Sequence, residues 1–116
     1  MVEQKRGKII NIASMGGLRA VKGNFGYCTA KAGLIMFTKT LAVTLATQNI
    51  QANCIAPAFF EVIEMPPEVE KSKRFFPMGR FGMPGEIGPL AVYLASDASG
   101  YVTGHDLVVD GGYTIR

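Results

Sequence analysis

The stretch that begins at Phe25 and runs to Thr47 carries only two charges, Lys31 and Lys39, and contains no proline. It is far longer than the about three to ten residues of an ordinary strand, so it reads as a helix. Short apolar runs stand on either side of it. KIINIA at residues 8–13 precedes it, residues 50–55 follow it, and residues 107–109 lie near the carboxyl end. Strand-like and helical runs in alternation restrict the fold to parallel β-α-β units, an α/β architecture. Both alternate faces of KIINIA carry isoleucine, as expected of a strand covered on both sides.

The connections are legible in the same terms. Residues 16–24 hold three glycines and read as a loop. Gln48 and Asn49 end the long helix, with Asn49 suited to a left-handed cap. Residues 57–80 carry four of the six prolines and read as irregular, with a short helix over 68–74. Pro84 marks another helix start. Gly88 and Pro89 are expected to delay regular helix until Leu90, and that helix ends near Ser96. Asp110-Gly111-Gly112 closes the last strand as a turn.

Within the long helix, Tyr27 and Lys31 are four residues apart, which puts both side chains on one face, one turn apart. A free phenol titrates near ~10, and a fixed cation beside it favours the phenolate. A tyrosine so placed can give a proton to a carbonyl oxygen or take one from an alcohol. Ser14 stands thirteen residues before Tyr27, just after KIINIA, where its hydroxyl could hold the same oxygen. Two plainer readings stand beside these. A Tyr–Lys pair at this spacing also arises in purely structural helices, and Ser14 could be a turn hydroxyl capping a loop amide.

Composition removes several classes of function. A hydrophobic content of 48% with 18% charged residues suits a globular chain and is too apolar for disorder. The net charge of +3 is small, and lysines and arginines are scattered without a basic, aromatic-interleaved stripe, so no nucleic-acid partner is expected. Cys28, Cys54 and a single histidine, His105, make no metal-ligand spacing. The cysteines read as buried thiols of a reducing, cytoplasmic setting. No run is expected to reach membrane-spanning length, and no membrane partner is expected.

In order along the chain, GKIINIAS, GYCTAKAG, NIQANCIAP, PMGRFGMPGEI and YLASDASGYVTGHDLVVDGG resemble the carboxyl half of the short-chain dehydrogenases/reductases. Within that family the likeness is to gluconate 5-dehydrogenase and ketoacyl-reductase type members. The resemblance implies a doubly wound, Rossmann-like parallel sheet of which residues 1–116 form the carboxyl-terminal part, its last three strands with their flanking helices. It implies NAD or NADP as cofactor and a secondary alcohol, ketone or sugar acid as substrate. Tyr27 would be the general acid/base, Lys31 would support it and hold the nicotinamide ribose, and Ser14 would orient the carbonyl. Backbone groups of Pro57 and Phe60 would meet the nicotinamide carboxamide. Asn11, Asn53 and Asp110 would brace the sheet and the carboxyl end.

Departures from the family pattern shape the remaining expectations. Ala58 stands where the family has glycine, and Val62 where it has threonine. The family's glycine-rich phosphate turn is not among these residues. The isolated chain is therefore expected to be inactive, and the alternative is a truncated or degenerate chain acting only through oligomerisation or binding. Relatives pair through the helix at 25–47, which implies a homo-oligomer. The other reading of that helix is an exposed face rich in threonine (Thr38, Thr40, Thr44, Thr47).

Overall fold

The computed structural model describes residues 1–61 and 64–116. Its centre is the strand β2 (Ile50–Pro57), buried at every position but the last. Burial follows from its place, because β1 (Gly7–Ile12) and β3 (Asp106–Val109) pair with it in parallel on its two edges. Gly7 stands opposite Ile50 and Ile12 opposite Ile55, while Cys54 stands opposite Asp106. Along one face of β2 the residues after Ile50 are all small, Ala52, Cys54 and Ala56, each 0% exposed. That flat surface admits α1 (Phe25–Leu45), whose buried residues Ile35, Thr38 and Ala42 recur at helical spacing.

Helices cover both faces of the sheet. On one side Asn11 of β1 donates to the Thr38 hydroxyl of α1 at 2.8 Å. On the other, Lys8 reaches Ser99 at 2.9 Å, just beyond α3 (Gly88–Ala95). Lys8 and Asn11 are an odd number of residues apart and so point to opposite faces. This is the doubly wound arrangement that the resemblance implies, built on the parallel pairing expected from the alternating runs.

The boundaries differ from expectation in instructive ways. β2 runs on to Pro57, because the main chain keeps pairing with β3 as far as Val109. β1 is half-buried, not enclosed, and within these residues it pairs along one edge. α1 gives way to a 3-10 turn (Ala46–Gln48), and Asn49 takes the left-handed conformation at φ 57° as expected of a cap. α3 starts at Gly88 and is not delayed to Leu90. Pro89 falls in the first turn, where its missing N–H leaves no bond unmade. In the proline-rich stretch, α2 (Pro67–Glu70) runs into a 3-10 turn (Lys71–Phe75).

Two expectations about α1 are corrected. Phe25–Gln48, 24 residues, is long and apolar enough by length and composition to cross a membrane, whereas no run was expected to be. Thr38 does not belong to an exposed threonine face, since it is 0% exposed and its hydroxyl donates to the Leu34 carbonyl at 2.8 Å. Thr40, Thr44 and Thr47 are exposed as read.

The expected braces are present. Asn53 donates to the Val102 carbonyl at 2.8 Å and accepts from the His105 N–H at 3.0 Å, joining β2 to the loop before β3. The Asp110 carboxylate accepts from the Gly112 N–H at 2.9 Å and from the Thr114 N–H and hydroxyl, each at 2.7 Å. Burial pushes this carboxyl up, but those bonds outweigh it and its pKa is lowered. Gly111 and Gly112 both take positive φ, as turn glycines.

A second carboxylate locks the segment before α3. Glu86 accepts two bonds from Arg80, at 2.7 and 2.8 Å, and one from the Met83 N–H at 2.7 Å. The Arg80 guanidinium first, then the Met83 amide, bring its pKa from 4.5 to about 2. A depressed carboxyl pKa means stability that is fully present above the unfolded value and lost as pH falls through the folded one. Glu86→Gln is therefore expected to flatten the fall in urea midpoint between pH about 4.5 and about 2. A variant whose midpoint falls as steeply as that of the parent chain would show that the pair adds nothing.

Candidate active site

The end of β1 and the start of α1 build the site. After Ala13 the chain turns at Ser14, which caps a 3-10 turn (Met15–Gly17) by accepting the Gly16 N–H at 3.1 Å. Ser14 is 7% exposed, and the capping role weighed for it from sequence is the one its hydroxyl fills here. One lone pair and the hydroxyl proton remain for another partner. α1 rests directly on this turn. A Cβ at Gly17 would lie 2.8 Å from the Lys31 carbonyl carbon and 2.9 Å from the Ala32 nitrogen, so only glycine lets the two backbones approach this closely.

That contact sets where α1 delivers its side chains. A Cβ at Gly16 would lie 3.3 Å from the Tyr27 ring and 3.5 Å from Ser14 Oγ, so Ser14 and Tyr27 stand on either side of a bare Cα. Tyr27 is half exposed. Lys31, one turn on, holds its ammonium 5.8 Å from the centre of the Tyr27 ring and donates to the Ile12 carbonyl at 2.9 Å. Strand end and helix are thereby clasped together, and two ammonium hydrogens stay unused.

Ser14 and Tyr27 open onto one cleft of about 350 Å³, whose walls are completed by Met15, Gly16, Val21, Asn24, Ala58 and Phe59. Pro57 and Phe60, named from the family pattern, are not among its lining residues. Pro57 ends β2, and Phe60 forms an isolated bridge with Gly82, its ring packed where a Gly82 side chain would stand. The wall is made instead by their neighbours Ala58 and Phe59. Ala58 donates its N–H to the Val109 carbonyl at 3.1 Å. Among the described residues the non-glycine positions with positive φ are Lys5 and Asn49, so Ala58 carries no left-handed strain. Val62 lies outside the described residues.

Sequence reasoning passed over Gly17, Val21, Asn24 and Phe59. The adjacent pair Gly16-Gly17 directly after a strand was the available signal, since two bare Cα positions there invite a close helix. Cys28 is half-buried and Cys54 buried, both free. Burial pushes the Cys54 thiol up, partly offset by its contact with Thr38 at 3.2 Å. Among the described residues no three metal-ligating side chains gather.

A family model described as enoyl-(acyl carrier protein) reductase matches residues 1–114. The chain is 44% identical to the 3-oxoacyl-[acyl-carrier-protein] reductase of Chlamydia trachomatis, across 97% of this chain and 47% of that protein. It belongs to the short-chain dehydrogenase/reductase family. An NAD-dependent glycerol dehydrogenase of Listeria innocua is 37% identical over 100% of the chain and 48% of its own length. A gluconate 5-dehydrogenase from Burkholderia cenocepacia, solved with NADP and tartrate, superposes with a TM-score of 0.92 at 34% identity, over 99% of this chain and 48% of that one. The three-stranded sheet is thus part of a Rossmann-like fold, and the chain spans about half the length of the relatives it matches. Of these relatives the Listeria enzyme is NAD-dependent by name, and the Burkholderia enzyme was solved with NADP.

The residues present fit one end of such a dinucleotide. The Tyr27 hydroxyl, at a cleft whose other walls are largely apolar, and the two unused hydrogens of Lys31 one turn along α1 are donors of the kind a nicotinamide ribose requires. A glycine-rich turn of the kind that cradles pyrophosphate does not occur in residues 1–116.

Proposed function

We propose that this chain forms the catalytic, carboxyl-terminal part of a Rossmann domain in an NAD(P)-dependent oxidoreductase acting on a secondary alcohol, a ketone or a sugar acid. The observation that carries this reading is the convergence of Ser14, Tyr27 and Lys31 where β1 meets α1, with Lys31 anchored to Ile12. When bound, the nicotinamide supplies or accepts the hydride. Tyr27 gives its phenolic proton to the substrate oxygen in reduction and takes it back in oxidation. Ser14 donates a hydrogen bond to that oxygen while charge builds on it. Lys31, a cation one helical turn from the phenol, stabilises the negative charge left when the proton departs, and turns its remaining hydrogens to the ribose hydroxyls. Tyr27 and Lys31 would hold the cofactor's ribose, and backbone at Ala58 and Phe59, beside Pro57 and Phe60, would border its ring.

Self-association belongs to the same proposal. α1 leaves Phe25, Met36, Phe37 and Val43 exposed, a run of large apolar side chains that a second copy would cover. Free Cys28 and Cys54 suit a reducing, cytoplasmic setting. The second reading, a chain that acts only by association, draws on this same face. The 116-residue polypeptide on its own is expected to associate and to show no binding of NAD(H) or NADP(H), because the pyrophosphate cradle is not in it. Light scattering and cofactor titration check both points. A monodisperse monomer that binds either cofactor at micromolar levels would overturn the assignment of these residues to one part of a larger site.

A further inference from the structure

Three guanidinium groups gather on two aromatic rings, and the chemistry assigned to Ser14, Tyr27 and Lys31 uses none of them. Arg19 lies 5.0 Å from the centre of the Tyr113 ring and donates to the Tyr113 carbonyl at 2.8 Å. Arg116 lies 4.6 Å from that ring and 5.0 Å from the ring of Phe75. Arg74 lies 4.8 Å from Phe75. The three come from separate stretches: the loop before α1, the turn after α2, and the carboxyl end.

Among the described residues no carboxylate pairs with any of them. Asp110, in the turn that carries Tyr113, is engaged by Thr114 at 2.7 Å, Glu61 and Glu70 by Lys73 at 2.8 and 2.7 Å, and Glu86 by Arg80 at 2.7 Å. Stacking on a ring orients a guanidinium but does not neutralise it; Arg19 gives one Nη to the Tyr113 carbonyl and keeps its other donors, and among the described residues the forks of Arg74 and Arg116 make no hydrogen bond. Three such charges held together repel one another and raise the local affinity for an anion. Carboxylate and phosphate match the fork.

The cluster connects to the cleft through a chain of rings. Tyr113 meets Phe76 at 4.8 Å, Phe76 meets Phe59 at 6.1 Å, and Phe59 lines the cleft. The loop that carries Arg19 supplies Val21 and Asn24 to the same wall.

We infer that Arg19, Arg74 and Arg116 bind the carboxylate or phosphate group of a small-molecule substrate whose reacting carbonyl or alcohol lies at Tyr27. This rests on the proposed function for the identity of the reacting end, but the anion site itself is tested without turnover. In the protein carrying this chain, arginine Nε–H resonances are followed while inorganic phosphate, succinate or glycerol is added at constant ionic strength. Saturable shifts at the three arginines with phosphate or succinate, and none with glycerol, are expected. The stronger of the two anions tells a phosphate-bearing substrate from an organic acid. Arg74→Gln, at an exposed position, should weaken the anion about tenfold, the loss typical of one charge-assisted contact. Tyr27→Phe should leave it unchanged, so anion binding and catalysis can fail separately. Shifts that do not saturate, or undiminished binding in folded Arg74→Gln and Arg19→Gln variants, would overturn the inference and leave the rings and arginines as packing alone.

Discussion

Replacing Tyr27 by phenylalanine is expected to lower turnover by about 10²–10⁴-fold, the range for loss of a positioned acid/base group, and to weaken cofactor binding by no more than the one ribose hydrogen bond its hydroxyl would give, about 0.5–1.5 kcal/mol. The substitution removes one oxygen and leaves the ring in place against Gly16. Lys31 is held by the Ile12 carbonyl independently of the phenol, so the ammonium keeps its position. The loss should therefore fall on kcat. Steady-state kinetics of the folded variant, with cofactor affinity measured separately, decide the matter. Turnover near that of the parent protein would remove Tyr27 from the mechanism, whatever the family pattern says.

The second large effect is structural. Gly17→Ala places a methyl group 2.8 and 2.9 Å from backbone atoms of Lys31 and Ala32, and backbone at a helix interior cannot step aside as a flexible side chain can. Overpacking of this kind costs about 1–3 kcal/mol. The same shift moves Tyr27 and Lys31 away from Ser14, so activity should fall further than stability alone explains. Gly33→Ala is the natural contrast. It lies within α1 with nothing within 4 Å of its added Cβ, and should stabilise the helix by roughly 0.5–1 kcal/mol. Thermal melting of the two variants side by side tests both signs. Equal or inverted shifts would show that α1 does not depend on its contact with the Met15–Gly17 turn.

What could be read from residues alone follows a physical division. The Tyr27–Lys31 pair was legible because helical geometry fixes the relation of two residues one turn apart, wherever the helix sits. Asn49 and the Gly111-Gly112 turn were legible for a similar reason, since left-handed backbone belongs to a few residue types. Phe59 and Phe60 were not distinguishable, because which ring faces the cleft depends on the bridge from Phe60 to Gly82, a partner far along the chain. Thr38 looked like surface for the same kind of reason. Its burial depends on Asn11 and Cys54, which reach it from two strands. The Gly17 contact joins a strand end to the middle of a helix, and no local pattern announces how close those two segments come.

The parallel sheet has one more consequence, and it concerns time. Gly7 finds Ile50 and Cys54 finds Asp106 only after an entire crossover has been laid down between them. No strand can pair with a neighbour made moments earlier, so chain entropy is surrendered before the ladder bonds that compensate it can form. α1 needs only local bonds and can assemble long before the sheet. Ladder closure then sets the folding barrier, and until it occurs the apolar length of β2 stands uncovered, ready to pair with whatever chain arrives first.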